Sequence, residues 1–185
     1  QILDLEVRDC PADGLRVTGI NVVVSGNHVH HNDQSGINVT GLSTTTSGVD
    51  VVANDVHHNC VAPGTVACAG ISVKKGTAPG TGPTTTWVAQ NLAYSQASAA
   101  HGIALQAGNG HTVLENATDD NAGAGISVAA TQSGISVSAV GVYDNDVSGN
   151  LGPGILLGTR SSFSTLSGNT VDGNGLGGTP APGIS

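Results

Sequence analysis

Asn27, Asn54, Asn91, Asn116, Asn145 and Asn169 recur 24 to 37 residues apart, and each stands in the same setting. Three residues before each is Val24, Val51, Val88, Val113, Val142 or Leu166, and two residues after it Val29, Val56, Ala93, Thr118, Val147 or Val171. Five residues after it comes a second amide: Asn32, Asn59, Gln96, Asn121, Asn150 or Asn174. A turn and a Gly-Ile strand follow, as Gly36-Ile37, Gly70-Ile71, Gly102-Ile103, Gly125-Ile126 and Gly154-Ile155. The last copy ends at Gly183-Ile184-Ser185, and a degenerate first copy carries Val7, Cys10 and Gly14-Leu15-Arg16-Val17.

Within a copy the apolar residues alternate in runs of about three, which is the period of a strand and not of a helix. Three short strands per period, separated by turns, make one coil of a parallel β-solenoid. Each coil lies on the previous one at about 4.8 Å. The expected fold is therefore all-β, a right-handed parallel β-helix of about seven three-stranded coils, occupying residues 1–185 as one unit. A β-sandwich is the alternative, and it would require the aligned copies to coincide by chance. Inside run columns such as Val24 to Leu166 and Ile37, Ile71, Ile103, Ile126, Ile155. The Asn column fits a buried turn whose amides bond to one another and to backbone. The glycine before each Ile is expected to supply a turn with φ > 0.

Composition agrees with a core of small branched side chains: the chain has one Trp, two Tyr, one Phe and 28 Gly. Five basic against 13 acidic residues give a net charge of −8, which argues against a nucleic-acid groove. No apolar run approaches the roughly 18 residues of a membrane helix. The repeat starts and stops inside a coil, so the expectation is a fragment, or open ends that stack on another β-helix. Gly76 to Pro83 reads as a loop inserted between coils.

Cys60 and Cys68 bracket one turn excursion, and a disulfide there implies an oxidising, extracellular compartment. Cys10 occupies the repeat position of Asn32 and Asn59 and is expected to be a buried thiol. No zinc-type Cys spacing is present.

Two outward surfaces carry chemistry. After the central Val column come Arg8, His30, His57 and Tyr94, expected as one exposed row; the next column holds His31 and His58. Five of the seven histidines thus fall on two adjacent coils. A cation, an imidazole and a phenol suit proton abstraction beside a carboxylate: Arg8 binds the acid, and His30, His57 and Tyr94 move protons. Repulsion between His30 and His57 is expected to keep one ring neutral near pH 7. The same imidazoles suit a transition metal, with His31 and His58 as candidate ligands, and a divalent cation, Ca²⁺ or Zn²⁺, is the candidate cofactor. A solvated histidine stripe is the bland reading. The second surface is the Gly-Ile strand, whose outward residues Arg16, Asn38, Ser72, Ala104, Ser127 and Leu156 read as a small, flat face. Asn38, with Lys74 and Lys75 at the edge, would meet an extended acidic sugar chain. Asn38-Val39-Thr40 is also a glycosylation sequon; in Asn116-Ala117-Thr118 the asparagine is a ladder residue and should be buried.

On these repeats the chain resembles right-handed parallel β-helices of the pectin-lyase type. The stretch Asn27 to Val39, followed by Gly70 to Gly76, is similar to the catalytic module of secreted mannuronan C5-epimerases. That family's Tyr-Gly-Phe-Asp-Pro-His coil would fall before residue 1, its second catalytic His aligns with Ser35, and Lys75 matches a basic substrate contact. The resemblance implies a secreted protein that interacts with polysaccharide, through lyase or C5-epimerase chemistry if it is catalytic. A structural shaft of an adhesin, phage spike or fibre, and a module that only binds sugar, are the rivals.

Overall fold

The computed structural model describes residues 1–41, 45–62, 68–76, 82–162, 164–175 and 183–185. It is a parallel β-helix built from three long stacked sheets. The first sheet has seven strands: Ile2–Leu3, Val23–Ser25, Asp50–Val52, Trp87–Ala89, Thr112–Leu114, Gly141–Tyr143 and Thr165–Ser167. The second also has seven: Glu6–Arg8, His28–His30, Asp55–His57, Leu92–Tyr94, Ala117–Asp119, Asp146–Ser148 and Thr170–Asp172. The third has six: Leu15–Val17, Ile37–Gly41, Ala69–Lys75, His101–Leu105, Ile126–Val128 and Ile155–Leu157. An isolated bridge from Ile155 to Ile184 extends it. A fourth run, not anticipated from the repeat, joins Gly108–Asn109, Val137–Ser138 and Ser161–Ser162, and single bridges continue it through Thr84 and Ser47 to Ile20. Among the described residues no helix is long and apolar enough to cross a membrane.

The register is the one the repeat dictates. Val24 pairs with Val51, Val51 with Val88, Val88 with Val113 and Val113 with Val142. Ile37, Ile71, Ile103, Ile126 and Ile155 form a second unbroken column, all fully buried. Burying each such side chain stabilises the fold by about 1.5–3 kcal/mol. Thr118 interrupts the third column, between Ala93 and Val147, and its buried Oγ1 has no hydrogen-bond partner.

The turns on both sides of the second sheet carry amide ladders. In the first ladder Asn91 Nδ2 reaches the carbonyls of Val51 and Ala89 and Oδ1 of Asn116, at 2.8, 3.0 and 2.9 Å. Its own Oδ1 accepts the backbone N–H and the side-chain amide of Asn54. The second amide of each copy builds a second ladder, in which Gln96 substitutes for Asn: its Oε1 accepts the Asn59 N–H at 3.0 Å and its Nε2 donates to the Val56 carbonyl at 2.7 Å. Cys10 enters this ladder through its backbone N–H, bonded to Asn32 Oδ1 at 3.0 Å. Its thiol is free and only half-buried, not a core group.

The glycine before each Ile does not adopt positive φ. A Cβ on Gly70 would lie 2.7 Å from Gln96 Nε2 and 2.8 Å from the Gly102 carbonyl oxygen. Gly36 and Gly102 meet Asn59 Nδ2 and Asn121 Nδ2 in the same way, each at 2.8 Å. These glycines are therefore required by close approach of the next coil's ladder. Positive φ belongs instead to the residue before each ladder amide, including Ala53, His31, His58, Gln90, Ser95 and Asp144.

Cys60 and Cys68 are disulfide-bonded, as their bracketing of one excursion implied. Residues 63–67 of that excursion, and 77–81 of the expected inserted loop, lie outside the described residues.

Candidate functional site

The second sheet presents the histidines. Its strands are three residues long, and the central one points inward, so the residues on both sides of it face out. Arg8 pairs with His30, His30 with His57 and His57 with Tyr94, which makes the row continuous. The His30 and His57 rings stack at 5.0 Å with 8° between planes, and His57 stacks on Tyr94 at 4.9 Å and 26°. The row is less open than expected. Arg8 is exposed, whereas His57 and Tyr94 are half-buried and the His30 side chain is only 11% exposed. The rings cover one another's faces, and the nitrogen edges of His30 and His57 meet Glu6, His28, His31 and His58.

The other outward position adds Glu6, His28 and Asp55, paired Glu6 to His28 and His28 to Asp55. Each directly precedes an inward valine, Val7, Val29 or Val56, and so faces out. His28 Nε2 lies 2.8 Å from His57 Nε2 and 3.9 Å from Asp55 Oδ2. His31 and His58 stand at the bend, at φ +55° and +51°, with rings stacked at 5.1 Å. Each turns its Nδ1 toward the preceding ring: His30 Nδ1 to His31 Nδ1 and His57 Nδ1 to His58 Nδ1, both 2.8 Å.

Burial among these rings pulls the His57 pKa down to about 4, with Asp55 opposing and His58, His28 and His30 adding to the depression. Desolvation, more than the expected repulsion, keeps this ring neutral. Burial first, and Asp55 second, raises the Tyr94 phenol above its ordinary value. Arg8 is held by its own strand: Nε lies 3.3 Å from Glu6 Oε1 and NH1 3.2 Å from Asp9 Oδ2.

The third-sheet face is not the open surface that its alternation suggested. Asn38, Ser72, Ala104 and Ser127 are buried, Leu156 is half-buried and only Arg16 is exposed. Asn38 Nδ2 donates to Asp13 Oδ2 at 2.6 Å, and a fully buried Asn38 is no glycan acceptor. Asn116 is buried too, as a ladder residue must be. Lys74 and Lys75 end the longest strand, paired with Thr40 and Gly41 on the neighbouring coil. Among the described residues no carboxylate lies within ion-pair distance of either lysine, and residues 42–44, 63–67 and 77–81 contain no Asp or Glu. The strands of this sheet carry Arg16, Lys74 and Lys75 and no acid. The strands of the second carry Glu6, Asp55, Asp119, Asp146 and Asp172.

The family described as "right handed beta helix region" matches residues 69–184. The chain belongs to the right-handed β-helix family. No curated protein matches the sequence. Among solved structures this β-helix is similar to the Azotobacter vinelandii mannuronan C-5 epimerase AlgE4 A-module, at 21% identity and TM-score 0.74, over 100% of this chain and 50% of that one. The AlgE6 A-module of the same organism follows at 18% identity and TM-score 0.68, over 100% and 57%. The periplasmic alginate epimerase AlgG matches at 16% identity and TM-score 0.53, over 89% and 39%. At such identities the likeness is one of fold. The chain spans about half the length of the two A-modules it matches.

Proposed function

We propose that this chain is part of a polysaccharide-interacting β-helix that works outside the cytoplasm, on a uronate-containing chain. The observation that carries the reading is charge placement. In a protein of net charge −8, Arg16, Lys74 and Lys75 stand on one sheet without an ion-pair partner among the described residues. Unpaired cations on a sheet whose strands carry no acid attract a polyanion despite an acidic whole. Because Asn38 and Ser72 are buried, the sugar chain crosses the Lys74–Lys75 rim and does not lie along their column. The fold likeness to alginate epimerases supports a uronate partner, and the Cys60–Cys68 disulfide supports an oxidising compartment.

The reaction class attached to the whole protein is lyase or C5-epimerase, each starting with removal of a proton beside the carboxylate. The second-sheet row suits that step less well. His57 with a pKa near 4 is a weak base. Arg8 is already neutralised by Glu6 and Asp9. Catalysis by His30, His57 and Tyr94 is therefore the lesser reading, and substrate contact at Lys74 and Lys75 the greater.

The test is equilibrium binding of mannuronate and guluronate oligomers at two salt concentrations. Binding should weaken with salt and fall about tenfold or more in the Lys74→Ala, Lys75→Ala double variant, while Arg8→Ala leaves it unchanged. A neutral glucan bound as tightly as the uronates, or no uronate binding, sinks the reading.

A further inference from the structure

We propose that His28, Asp55 and His57 form a binding site for one divalent transition-metal ion of the zinc type. The site goes beyond the polysaccharide reading and stands without it. Three observations carry it, and the three ligands lie on two adjacent coils.

The first is convergence. His28, Asp55 and His57 each offer one ligand atom, and the three atoms lie within 4.8 Å of one another. His28 reaches diagonally across the strand pair, so that its Nε2 faces His57 Nε2 at 2.8 Å. Two ring nitrogens at that distance need one proton between them, and a metal ion replaces that proton. Tetrahedral zinc with Zn–N of about 2.0–2.1 Å sets its nitrogens about 3.3 Å apart, so the rings need to part by only about half an ångström.

The second is an orphaned oxygen. Asp55 Oδ1 is buried and has no hydrogen-bond partner. The carboxylate is thus only partly satisfied, and its other oxygen, Oδ2, faces His28 Nε2 at 3.9 Å, where a cation would complete it. Glu6, His28 and His30 form a neighbouring triad of similar span, but Glu6 Oε1 is already engaged by Arg8 at 3.3 Å. The site is therefore placed on the Asp55 side.

The third is support. His58 Nδ1 meets His57 Nδ1 at 2.8 Å, and Tyr94 lies against the His57 ring face. A hydrogen bond at one imidazole nitrogen fixes the ring and leaves the other nitrogen for the metal. His58 is thus a positioning residue for His57, not a ligand. Both strands are clamped at each end by the amide ladders, which hold the ligand spacing on rigid backbone. His28, Asp55 and His57 leave a coordination position open toward solvent, because the His28 and Asp55 side chains are each 45% exposed.

The experiment uses the untagged chain, stripped with chelator, in the absence of any sugar. Zn²⁺ is titrated calorimetrically, and Co²⁺ is followed by the visible absorption of tetrahedral cobalt. The expected result is one saturable ion per chain, a higher unfolding midpoint with Zn²⁺ and intense cobalt bands. His28→Gln and Asp55→Asn each weaken binding about tenfold or more, and His58→Ala weakens it less. Ser148→Ala, three coils away on the same sheet, leaves it unchanged. His28 and Asp55 are surface groups, and their variants are compared at equal metal-free unfolding midpoint. No saturable binding in the micromolar range, or binding retained in both His28→Gln and Asp55→Asn, overturns the proposal. Loss of uronate binding alone leaves the metal result standing, so the two failures are distinguishable.

Discussion

His111 Nδ1 accepts the backbone N–H of Thr86 at 3.2 Å, while its Nε2 donates to the Ala107 carbonyl at 3.1 Å. The ring is fully buried, and both nitrogens are committed in the neutral form. Burial pulls its pKa down to about 4, with the Ala107 carbonyl opposing. In the unfolded chain the same ring takes its proton near 6.5. The stability it contributes is therefore fully present above pH 6.5 and is lost as pH falls toward 4. The expected loss from this residue over that window is on the order of 3 kcal/mol. His101, also lowered by burial, acts in the same direction. Urea midpoints measured from pH 7 to pH 4 check this. The slope should flatten in His111→Gln, and a wild-type protein with no acid dependence there would contradict the assignment.

The columns were legible because period and register are the same information in a β-helix: a Val three residues before each Asn has one place to go. The Asn ladder followed for the same reason, and so did the histidine row, since Arg8, His30, His57 and Tyr94 each follow an inward residue. What the period does not encode is what covers an outward side chain. Asn38 and Ser72 alternate outward, yet packing buries them. It also does not encode why a glycine is present. Gly36 and Gly70 read as turn residues, but the cause is a neighbouring coil's amide that no local pattern records. His28 and Asp55 were recoverable, because alternation places the residues on both sides of Val29 and Val56 on one face. Only the diagonal reach of His28 to His57 required coordinates. His111 falls five residues before Asn116, where the other copies carry Val22, Val49, Thr86 and Val140, so the repeat places it inward; which groups its ring bonds is not encoded in the period.

The Cys60–Cys68 bond closes a short loop at a sequence separation of 8. In the chain-entropy model such a closure stabilises by about 2–3 kcal/mol. Both half-cystines are buried beside Ala100, so the reduced thiols would also sit in an apolar pocket. Treatment with reductant should lower the urea midpoint by a corresponding amount without abolishing the β-sheet circular dichroism, because the amide ladders are untouched. Under native, non-reducing conditions one thiol per chain, Cys10, should react with iodoacetamide. Three reactive thiols without reductant would remove both the bond and its support for an oxidising compartment.

Two substitutions between glycine and alanine should move stability in opposite directions, for reasons in the backbone. Ala53 stands at φ +54° and is exposed, in the bend before Asn54. A side chain in that region costs about 1–2 kcal/mol, whereas glycine adopts it freely and loses about 0.5–1 kcal/mol in unfolded-state entropy. Ala53→Gly should therefore stabilise by up to about 1 kcal/mol. Gly70 has no positive φ, so alanine there meets no backbone strain. It meets Gln96 Nε2 at 2.7 Å and the Gly102 carbonyl oxygen at 2.8 Å. The amide is pinned by its bonds to Val56 and Tyr94, and the carbonyl belongs to the next coil's backbone. Neither can retreat without opening the ladder, so Gly70→Ala should destabilise by about 1–3 kcal/mol. Paired urea denaturation of the two variants reads both signs in one experiment. If Gly70→Ala were neutral, the close approach of coils would not be what selects glycine at this position.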